Sequence, residues 1–312
     1  MNWKYKALLH LVLSRLPLRE RINYFFQRFV TRNLPISGPT FARRVALAKK
    51  HIDFVQQYYS NRPPGEATFY EYGAGWDMVV PLAFYALGVD RQIAVDIRHM
   101  VKPQLVNDTI EKYHKTARDL AFLRTPDKYL EGGAPHCRAL LKDYYGIDYR
   151  APCDARYTGL QAGSVDCITS TDVLEHVPLP DIQAILRECY RLLPEGGVMS
   201  CRIDYTDHYA HFDKSISGYN FLQYSDRAWA LFNPPLHYQN RLRHRDYLDL
   251  LRAAGFAVVE EQCREGTEAD LQTLERLPLD ERFGAYSLSD LAVRNALIVV
   301  RKSDWSSAVA AR

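Results

Sequence analysis

The sequence has 312 residues, 47% of them hydrophobic, and a formal net charge of +3 at pH 7. This composition predicts a packed core and excludes a disordered chain, while the small net charge argues against a nucleic-acid-binding surface. None of the six cysteines is in C-x-x-C spacing, which favours buried thiols in a reducing, cytoplasmic compartment over a zinc site or disulfides.

Residues 1–62 are expected to form an N-terminal helical cap. Hydrophobic spacing predicts helices over Lys4–Leu16, Leu18–Thr31 and Thr40–Tyr59. The apolar run Ala7–Leu13 is too short for a signal peptide or a membrane span. We expect the cap to pack over the site. The alternative is a basic, aromatic helix in weak peripheral contact with an anionic membrane.

The next segment predicts a strand, a glycine turn, a helix and a second strand. The parts are Thr68–Glu71, Gly73-Ala74-Gly75, the apolar positions from Val79 to Leu87, and Gln92–Asp96. Glycines let the backbone approach a ligand closely, and the start of a helix offers free N–H groups. Asp96, at the tip of the second strand, can accept both hydroxyls of a ribose. The segment therefore predicts a nucleoside-binding βαβ unit.

The glycine pattern discriminates between two nucleoside cofactors. A dinucleotide site needs the third glycine of Gly-x-Gly-x-x-Gly, and Met78 occupies that position. The sequence instead has Glu-x-Gly-x-Gly, in which Glu71 repels a phosphate but suits an ammonium group. This pattern resembles motif I of the class I S-adenosylmethionine-dependent methyltransferases. The chain departs from the family's fuller motif at Asp77, which replaces a third glycine.

A later set of motifs resembles the second half of the same family. The set comprises the strand-like Val165–Ser170, Val173-Leu-Glu-His-Val177, the amphipathic Asp181–Leu193, Pro194-Glu-Gly-Gly197 and the strand Val198–Ile203. The resemblance covers roughly Phe69 to Tyr205. Between the two halves, residues 98–146 are expected to be a helical insertion that borders the substrate pocket. Its predicted parts are helices over Leu105–Tyr113 and Thr116–Leu123 and a loop over residues 131–135.

The resemblance implies a fold, a cofactor and a set of contacts. The fold is α/β, a Rossmann-like, seven-stranded, mostly parallel sheet flanked by helices, with an antiparallel last strand and the N-terminal helical extension. The cofactor is S-adenosyl-L-methionine. Its expected contacts are Glu71, Gly73, Ala74 and Gly75 around the methionine part, Asp96 and Ile97 at the ribose, Asp154 and Ala155 at the adenine, and Thr171 and Asp172 at the end of the fourth strand.

The segment after the fifth strand carries the candidate catalytic groups. Residues 205–244 are polar and aromatic and are expected to be a substrate lid at the open end of the sheet. His208 is the candidate general base, with Asp204 or Asp207 fixing its ring, and His176 is a second candidate. Two alternatives for this segment are a divalent-metal site and a hydrated loop with no catalytic role. The aromatic residues Tyr219, Phe221, Tyr224 and Trp229 either wall a pocket or cover the lid.

The last part of the chain is expected to complete a domain over residues 63–303. A helix over Arg245–Ala254, a strand Phe256–Glu260, a helix over Thr267–Glu281 and a strand Asn295–Arg301 lead to a frayed tail at 304–312. The loop after the fifth strand loosely resembles uncharacterised methyltransferases that accompany surface-polysaccharide synthesis. We therefore expect methyl transfer to a small-molecule hydroxyl, first of all on a sugar. The alternatives are an NAD-dependent oxidoreductase or epimerase and a non-catalytic partner subunit.

Overall fold

A seven-stranded sheet organises the computed structural model, which describes residues 2–16, 22, 24–30, 33–59, 61–116 and 122–302. The strands are β1 Thr68–Tyr72, β2 Arg91–Val95, β3 Ile147–Arg150, β4 Cys167–Thr171, β5 Val198–Asp204, β6 Phe256–Arg264 and β7 Asn295–Lys302. Their order is β3-β2-β1-β4-β5-β7-β6, and β7 is antiparallel to β5 and β6 while the other neighbouring pairs are parallel. The predicted Rossmann-like sheet with an antiparallel last strand is confirmed.

Helices flank the sheet, and an N-terminal helical extension precedes its first strand. The α-helices in the described part of the chain include α1 Trp3–Ser14, α2 Gly38–Tyr58, α3 Val79–Ala86, α4 Pro103–Thr116, α5 Ala134–Asp143, α6 Leu179–Leu192, α7 Asp226–Ala230, α8 His244–Ala253, α9 Glu268–Arg276 and α10 Leu288–Ala292. A π-helical turn covers Phe26–Val30. In the described part of the chain, no helix is long and apolar enough to cross a bilayer.

Alternate strand residues face two hydrophobic clusters, one on each side of the sheet. In β7, Leu297 and Val299 belong to the cluster that includes α2, α3 and α4, whereas Ile298 and Val300 belong to the cluster that includes α6 and α8. Burial on both faces is typical of parallel sheets. The chain moves outwards from β1 in one direction and from β4 in the other, so the carboxyl ends of these strands form a topological switch point, where α/β folds bind their ligands.

The two N-terminal helices pack in different places. Helix α2 lies against the sheet, where the ring Nδ1 of His51 is 2.7 Å from the Ser200 hydroxyl of β5. Helix α1 instead packs on the chain after β5. The Trp3 ring lies within 6.4 Å, centroid to centroid, of the rings of Tyr209, Tyr224, Trp229 and Phe232. The predicted helical extension is therefore present, although six of the 14 residues of its second helix, Leu18–Thr31, lie outside the described residues.

The inserted region and the later helices differ from prediction at their ends. Residues 134–143 form α5, although the sequence was expected to continue as a loop to residue 135. Glycine and proline at 132, 133 and 135 are typical of the predicted loop, yet Gly133 is the N-cap and Pro135 occupies the first turn, where proline is tolerated. The predicted helix Thr116–Leu123 lies largely outside the described residues. Helix α9 ends at Arg276, earlier than predicted, because Pro278 restricts the residue before it.

The pocket-wall interpretation of the lid aromatics is wrong for Tyr219, Phe221 and Trp229. These side chains are 1–4% exposed and pack with Trp3, Phe283 and Leu291 in a third hydrophobic cluster. They hold α1 and the chain after β5 together. A run of aromatics in one loop indicates burial as readily as ligand contact, because large rings bury most of their surface in either case.

Replacing Gly146 by Ala should lower the free energy of unfolding by about 3–5 kcal/mol. Gly146 has φ +67°, and a Cβ there would lie 2.0 Å from the Asp90 carbonyl oxygen, a backbone atom that cannot move without separating β2 from β3. Gly159→Ala is the matched control, because Gly159 has φ +69° but no described atom within 4 Å of its added Cβ. That variant should lose about 1–2 kcal/mol. Equal losses in denaturant titrations would show that the close approach to Asp90 is unimportant.

Candidate functional site

Three adjoining cavities lie at the carboxyl ends of the parallel strands. Their volumes are about 510, 170 and 330 Å³. The first is lined by the ends of β1, β2 and the chain after β3, the second by the glycine turn after β1 and the end of β4, and the third by the end of β5 and the segment that follows it. All ten predicted cofactor residues line the first two cavities.

The 510 Å³ cavity contains the predicted ribose and adenine contacts. Asp96, Ile97, Asp154 and Ala155 all line it. The Asp96 side chain lies at the tip of β2, where burial raises the pKa of its carboxyl group to about 7, against the opposing effects of a Gly75 backbone hydrogen bond and the Tyr149 hydroxyl. Tyr149 donates to Asp96 Oδ2 over 3.4 Å. The cavity therefore presents a buried carboxyl group that can exchange these weak partners for the hydroxyls of a ligand.

Asp154 lies in the same cavity but already has a partner. Both of its oxygens accept hydrogen bonds from the Arg156 guanidinium at 2.6–3.0 Å, and Oδ1 also accepts from the Arg156 backbone N–H at 2.9 Å. The hydrogen bonds from Arg156 lower the pKa of Asp154. Arg156 reaches Asp181 of α6 as well, at 2.5 Å. Asp154 thus lines the cavity, and the sequence gives no indication of its bridge to Arg156.

The 170 Å³ cavity combines the glycine turn with a buried acid. Glu71 is 5% exposed, and its Oε2 has no hydrogen-bond partner among the described residues. Burial raises the pKa of Glu71 well above its usual value, with the Asp96 carboxylate adding to the rise. Gly73 has φ +84°, and a Cβ there would lie 2.4 Å from Val173 Cγ2. Residue 73 of the turn must therefore be glycine. Beside the turn, the Glu71 carboxyl oxygen that has no partner among the described residues faces a small polar cavity.

Helix α2 contributes two arginines to this region that the sequence did not single out. Arg44 donates to both oxygens of Asp77, at 3.1 and 3.0 Å, and lines the cavity of Glu71. Arg43 lies 3.8 Å from Asp172 and lines the 330 Å³ cavity. Asp77, the residue that departs from the family motif, is thus the anchor for Arg44. A pair of arginines on a helix usually indicates a solvated face, so no local pattern identified them.

The 330 Å³ cavity contains His208 and the carboxylate of Asp204. Asp204 Oδ1 accepts hydrogen bonds from the Thr206 backbone and hydroxyl, at 2.9 and 2.6 Å, and Oδ2 lies 3.6 Å from the Arg202 guanidinium. Despite its burial, the pKa of Asp204 is lowered by Thr206 and Arg202. The same cavity therefore holds the ionised carboxylate of Asp204 and the candidate base His208.

Asp207 does not hold the His208 ring, so that part of the prediction is corrected. Its Oδ1 accepts from the Tyr209 backbone N–H and its Oδ2 from the Asn220 side chain, both at 2.8 Å. The residue is fully buried and caps the short helical turn His208–His211. Aspartate commonly caps helical turns in this way, and spacing along the chain alone does not distinguish a cap from an orienting carboxylate.

The imidazole rings of the site lie close to one another. The His208 centroid is 4.9 Å from that of His176 and 5.2 Å from that of His211. Burial, together with the neighbouring His176 and His211 rings and Arg202, lowers the pKa of His208 to about 3. His176 Nδ1 lies 2.8 Å from the Tyr238 carbonyl oxygen, which fixes the proton on Nδ1 and leaves Nε2 as an acceptor. Both rings are therefore neutral bases at physiological pH.

One set of side chains in the described residues near His208 could also hold a divalent ion. Ligand atoms of Glu175, His176 and His208 lie within 4.8 Å of one another. Two imidazole nitrogens and a carboxylate oxygen suit zinc and related transition metals better than magnesium. The sequence pattern allows a metal site in the segment after β5 but does not point to Glu175.

Comparisons with known proteins identify the family. The sequence model of the family described as "Methyltransferase domain" matches residues 42–261. A ubiquinone biosynthesis O-methyltransferase of Xanthomonas oryzae pv. oryzae is 45% identical over 51 residues, which cover 16% of this chain. That match spans about a fifth of the relative's own length, 20%.

Solved structures of methyltransferases are similar to the chain at low sequence identity. A putative methyltransferase from Bacillus halodurans is 17% identical, with 82% of this chain and 100% of that chain covered and a TM-score of 0.45. The 1,6-didemethyltoxoflavin-N1-methyltransferase of Burkholderia thailandensis, solved with S-adenosylhomocysteine, is 14% identical, with 91% and 88% covered and a TM-score of 0.47. Because the family match spans most of the sequence, the chain belongs to the methyltransferase-domain family, and S-adenosylmethionine is its cofactor.

Proposed function

We propose that the protein transfers the methyl group of S-adenosylmethionine to a hydroxyl group of a small-molecule acceptor, and that the acceptor is a sugar or a related metabolite. The observation that carries the proposal is the continuity of the three cavities. The first two share Gly73 and Val173 as walls, and the second and third share Asp172. A cofactor spanning the first two would have its methionine end beside the third, which holds His208.

The first two cavities suit the two ends of the cofactor. The unpaired Glu71 carboxyl oxygen would accept from the methionine ammonium group, and Arg44 would pair with the methionine carboxylate. Asp96 would accept from the ribose hydroxyls, and Asp154 would lie at the adenine. The bound cofactor supplies a methyl group on a sulfonium, which an aligned acceptor oxygen takes in one displacement.

The third cavity suits an acceptor that carries a negative charge beside its hydroxyl. Its wall includes four guanidinium groups from α2, β5, β6 and the residue before β7: Arg43, Arg202, Arg264 and Arg294. Arg202 is neutralised by Asp172 and Asp204, whereas Arg264 extends from an edge strand into the cavity. His208 would accept the hydroxyl proton as the methyl group arrives, with Asp204 stabilising the protonated ring. Sugars that carry phosphate or carboxylate groups fit this chemistry.

A thermal-shift comparison tests the proposal. S-adenosylhomocysteine at about 100 times its Kd should stabilise the protein by about 2.7 kcal/mol, and NAD⁺ or NADH at the same concentration should leave the melting temperature unchanged. The physical reason is that Met78 replaces the glycine that a pyrophosphate needs for the close approach of the backbone. Stabilisation by NAD(H) without stabilisation by S-adenosylhomocysteine would instead favour an oxidoreductase or epimerase.

A further inference from the structure

Helix α1 is apolar on two opposite faces. The inner face, which includes Trp3, Ala7 and Leu13, is at most 7% exposed. The outer face carries Tyr5, Leu8, Leu9 and Val12, whose exposures are 72%, 56%, 37% and 52%. A helix on the surface of a globular protein normally presents polar residues to water, and one that is apolar all round is normally covered on every side. None of the described residues therefore covers the outer face of α1, although the composition of the helix predicts a covering.

The exposed cations of α1 indicate an anionic partner. The surrounding sequence is basic as well, since residues 1–36 contain seven Lys or Arg residues and one acidic residue, although the whole chain has a net charge of only +3. Of the four basic residues in this range that the structure describes, Lys6 is buried. Lys4 and Arg15 are exposed at the two ends of α1, so cations flank the apolar stripe. An apolar helix face bordered by cations binds the interface of an anionic membrane. A second copy of the chain would bring two such basic segments together, which costs electrostatic energy.

The inner face of α1 joins the helix to the chain that borders the third cavity. The Trp3 backbone N–H donates to Asp213 Oδ2 over 2.9 Å, and the Leu236 backbone N–H donates to the Ser14 hydroxyl over 3.4 Å. The His10 and His237 rings are 5.1 Å apart, and His237 lies 6.4 Å from His208, centroid to centroid. Whatever binds the outer face of α1 is thus separated from His208 by the thickness of the helix and by the His10 and His237 rings.

We propose that the outer face of α1, defined by Tyr5, Leu8, Leu9 and Val12, docks reversibly on the surface of a membrane that contains anionic lipids. The apolar side chains enter the boundary between headgroups and acyl chains, and Lys4 and Arg15 contact the headgroups. Docking places the third cavity beside the membrane surface, so an acceptor carried by a lipid would reach it without leaving the interface. This last consequence rests on the proposed methyl transfer, whereas the docking itself does not.

Vesicle flotation of the full chain tests the docking. The protein should float with vesicles of phosphatidylcholine and phosphatidylglycerol, remain behind with phosphatidylcholine alone, and bind less at high salt because salt screens the contribution of Lys4 and Arg15. The double variant Leu8→Gln, Val12→Gln should bind the anionic vesicles at least about tenfold more weakly, because two apolar side chains no longer enter the interface.

The matched control changes two exposed apolar residues elsewhere, in the variant Leu123→Gln, Tyr157→Gln. These side chains are 79% and 76% exposed, and the variant should float as the unchanged protein does. Failure of the unchanged protein to float, equal binding to neutral vesicles, or equal loss in the control variant would overturn the proposal. So would light scattering that shows a dimer which the Leu8→Gln, Val12→Gln variant disperses, because a second copy would then cover the face. Flotation needs neither cofactor nor acceptor, and its result therefore stands apart from that of the thermal-shift test.

Discussion

The variant Asp96→Ala should bind S-adenosylmethionine and S-adenosylhomocysteine at least about tenfold more weakly than the unchanged protein, because a hydrogen bond to a charged group contributes about 1.5–3 kcal/mol. Asp96 is the buried carboxyl group of the 510 Å³ cavity, placed by β2 where a ribose would lie. Calorimetric titration measures the effect. Asp148→Ala on the neighbouring strand β3 is the control, because that carboxylate pairs with Arg150 at 2.8 Å. Unchanged affinity in a folded Asp96→Ala protein would contradict the assignment.

The pH dependence of binding tests the same carboxyl group in a second way. Burial raises the pKa of Asp96 to about 7 in the free protein, so the carboxylate predominates at pH 8 and the neutral acid at pH 6. Because the carboxylate is the form that accepts from both ribose hydroxyls, the affinity should fall by up to about tenfold between pH 8 and pH 6. The variant Asp96→Asn cannot ionise, and its weaker affinity should stay constant over this range. An equal slope in both proteins would assign the titration to another group.

The variant His208→Ala should lower kcat by about 10²-fold while leaving the affinity for S-adenosylhomocysteine unchanged. General bases contribute about 10²–10⁴-fold, and we expect the lower end of that range because a base whose pKa is about 3 is a weak one. Turnover is measured as S-adenosylhomocysteine released with any sugar phosphate or sugar acid, from a panel, that the unchanged protein methylates. His136→Ala, at an exposed histidine of α5, is the control and should keep full activity.

The outcome also separates a base from a metal ligand. If His208 acts as a base, a chelator should leave kcat unchanged, and the acid limb of the pH profile should lie below about pH 5. Loss of activity on chelation that zinc or manganese restores would assign Glu175, His176 and His208 to a metal site. Near-full turnover of His208→Ala without added metal would contradict both roles. The alignment of the acceptor with the methyl donor would then account for the rate.

The sequence predicted those parts of the fold that depend on short-range patterns. The strand, glycine turn and helix around Gly73 follow from local conformational rules, and the strand order follows from the family resemblance. The residues contributed by α2 could not be predicted, because Arg44 meets Asp77 only after 32 intervening residues have folded back across the sheet. Asp207 illustrates the same limit, since the hydrogen bond to Asn220 that fixes its role joins two turns of an irregular segment.

Burial reverses the expected behaviour of several side chains in ways that spacing cannot reveal. The aromatic residues after β5 resemble a pocket wall in sequence, yet Trp3 from the start of the chain covers them. A histidine side chain ordinarily has a pKa near neutrality, but burial, followed by the surrounding rings and guanidinium, lowers the pKa of His208. Both differences arise from contacts between segments about 200 residues apart or from the packing of several histidines, which a linear pattern does not encode.

A crystal structure with S-adenosylhomocysteine tests the central claim most directly. That claim is that the first two cavities hold the methyl donor and that the adjoining third cavity holds the acceptor. The ribose hydroxyls should lie within hydrogen-bonding distance, about 2.5–3.2 Å, of the Asp96 carboxylate, and the homocysteine ammonium should lie equally close to Glu71. The sulfur should face the cavity that contains His208. A ligand whose adenosine lies away from Asp96, or whose sulfur faces away from that cavity, would contradict the account.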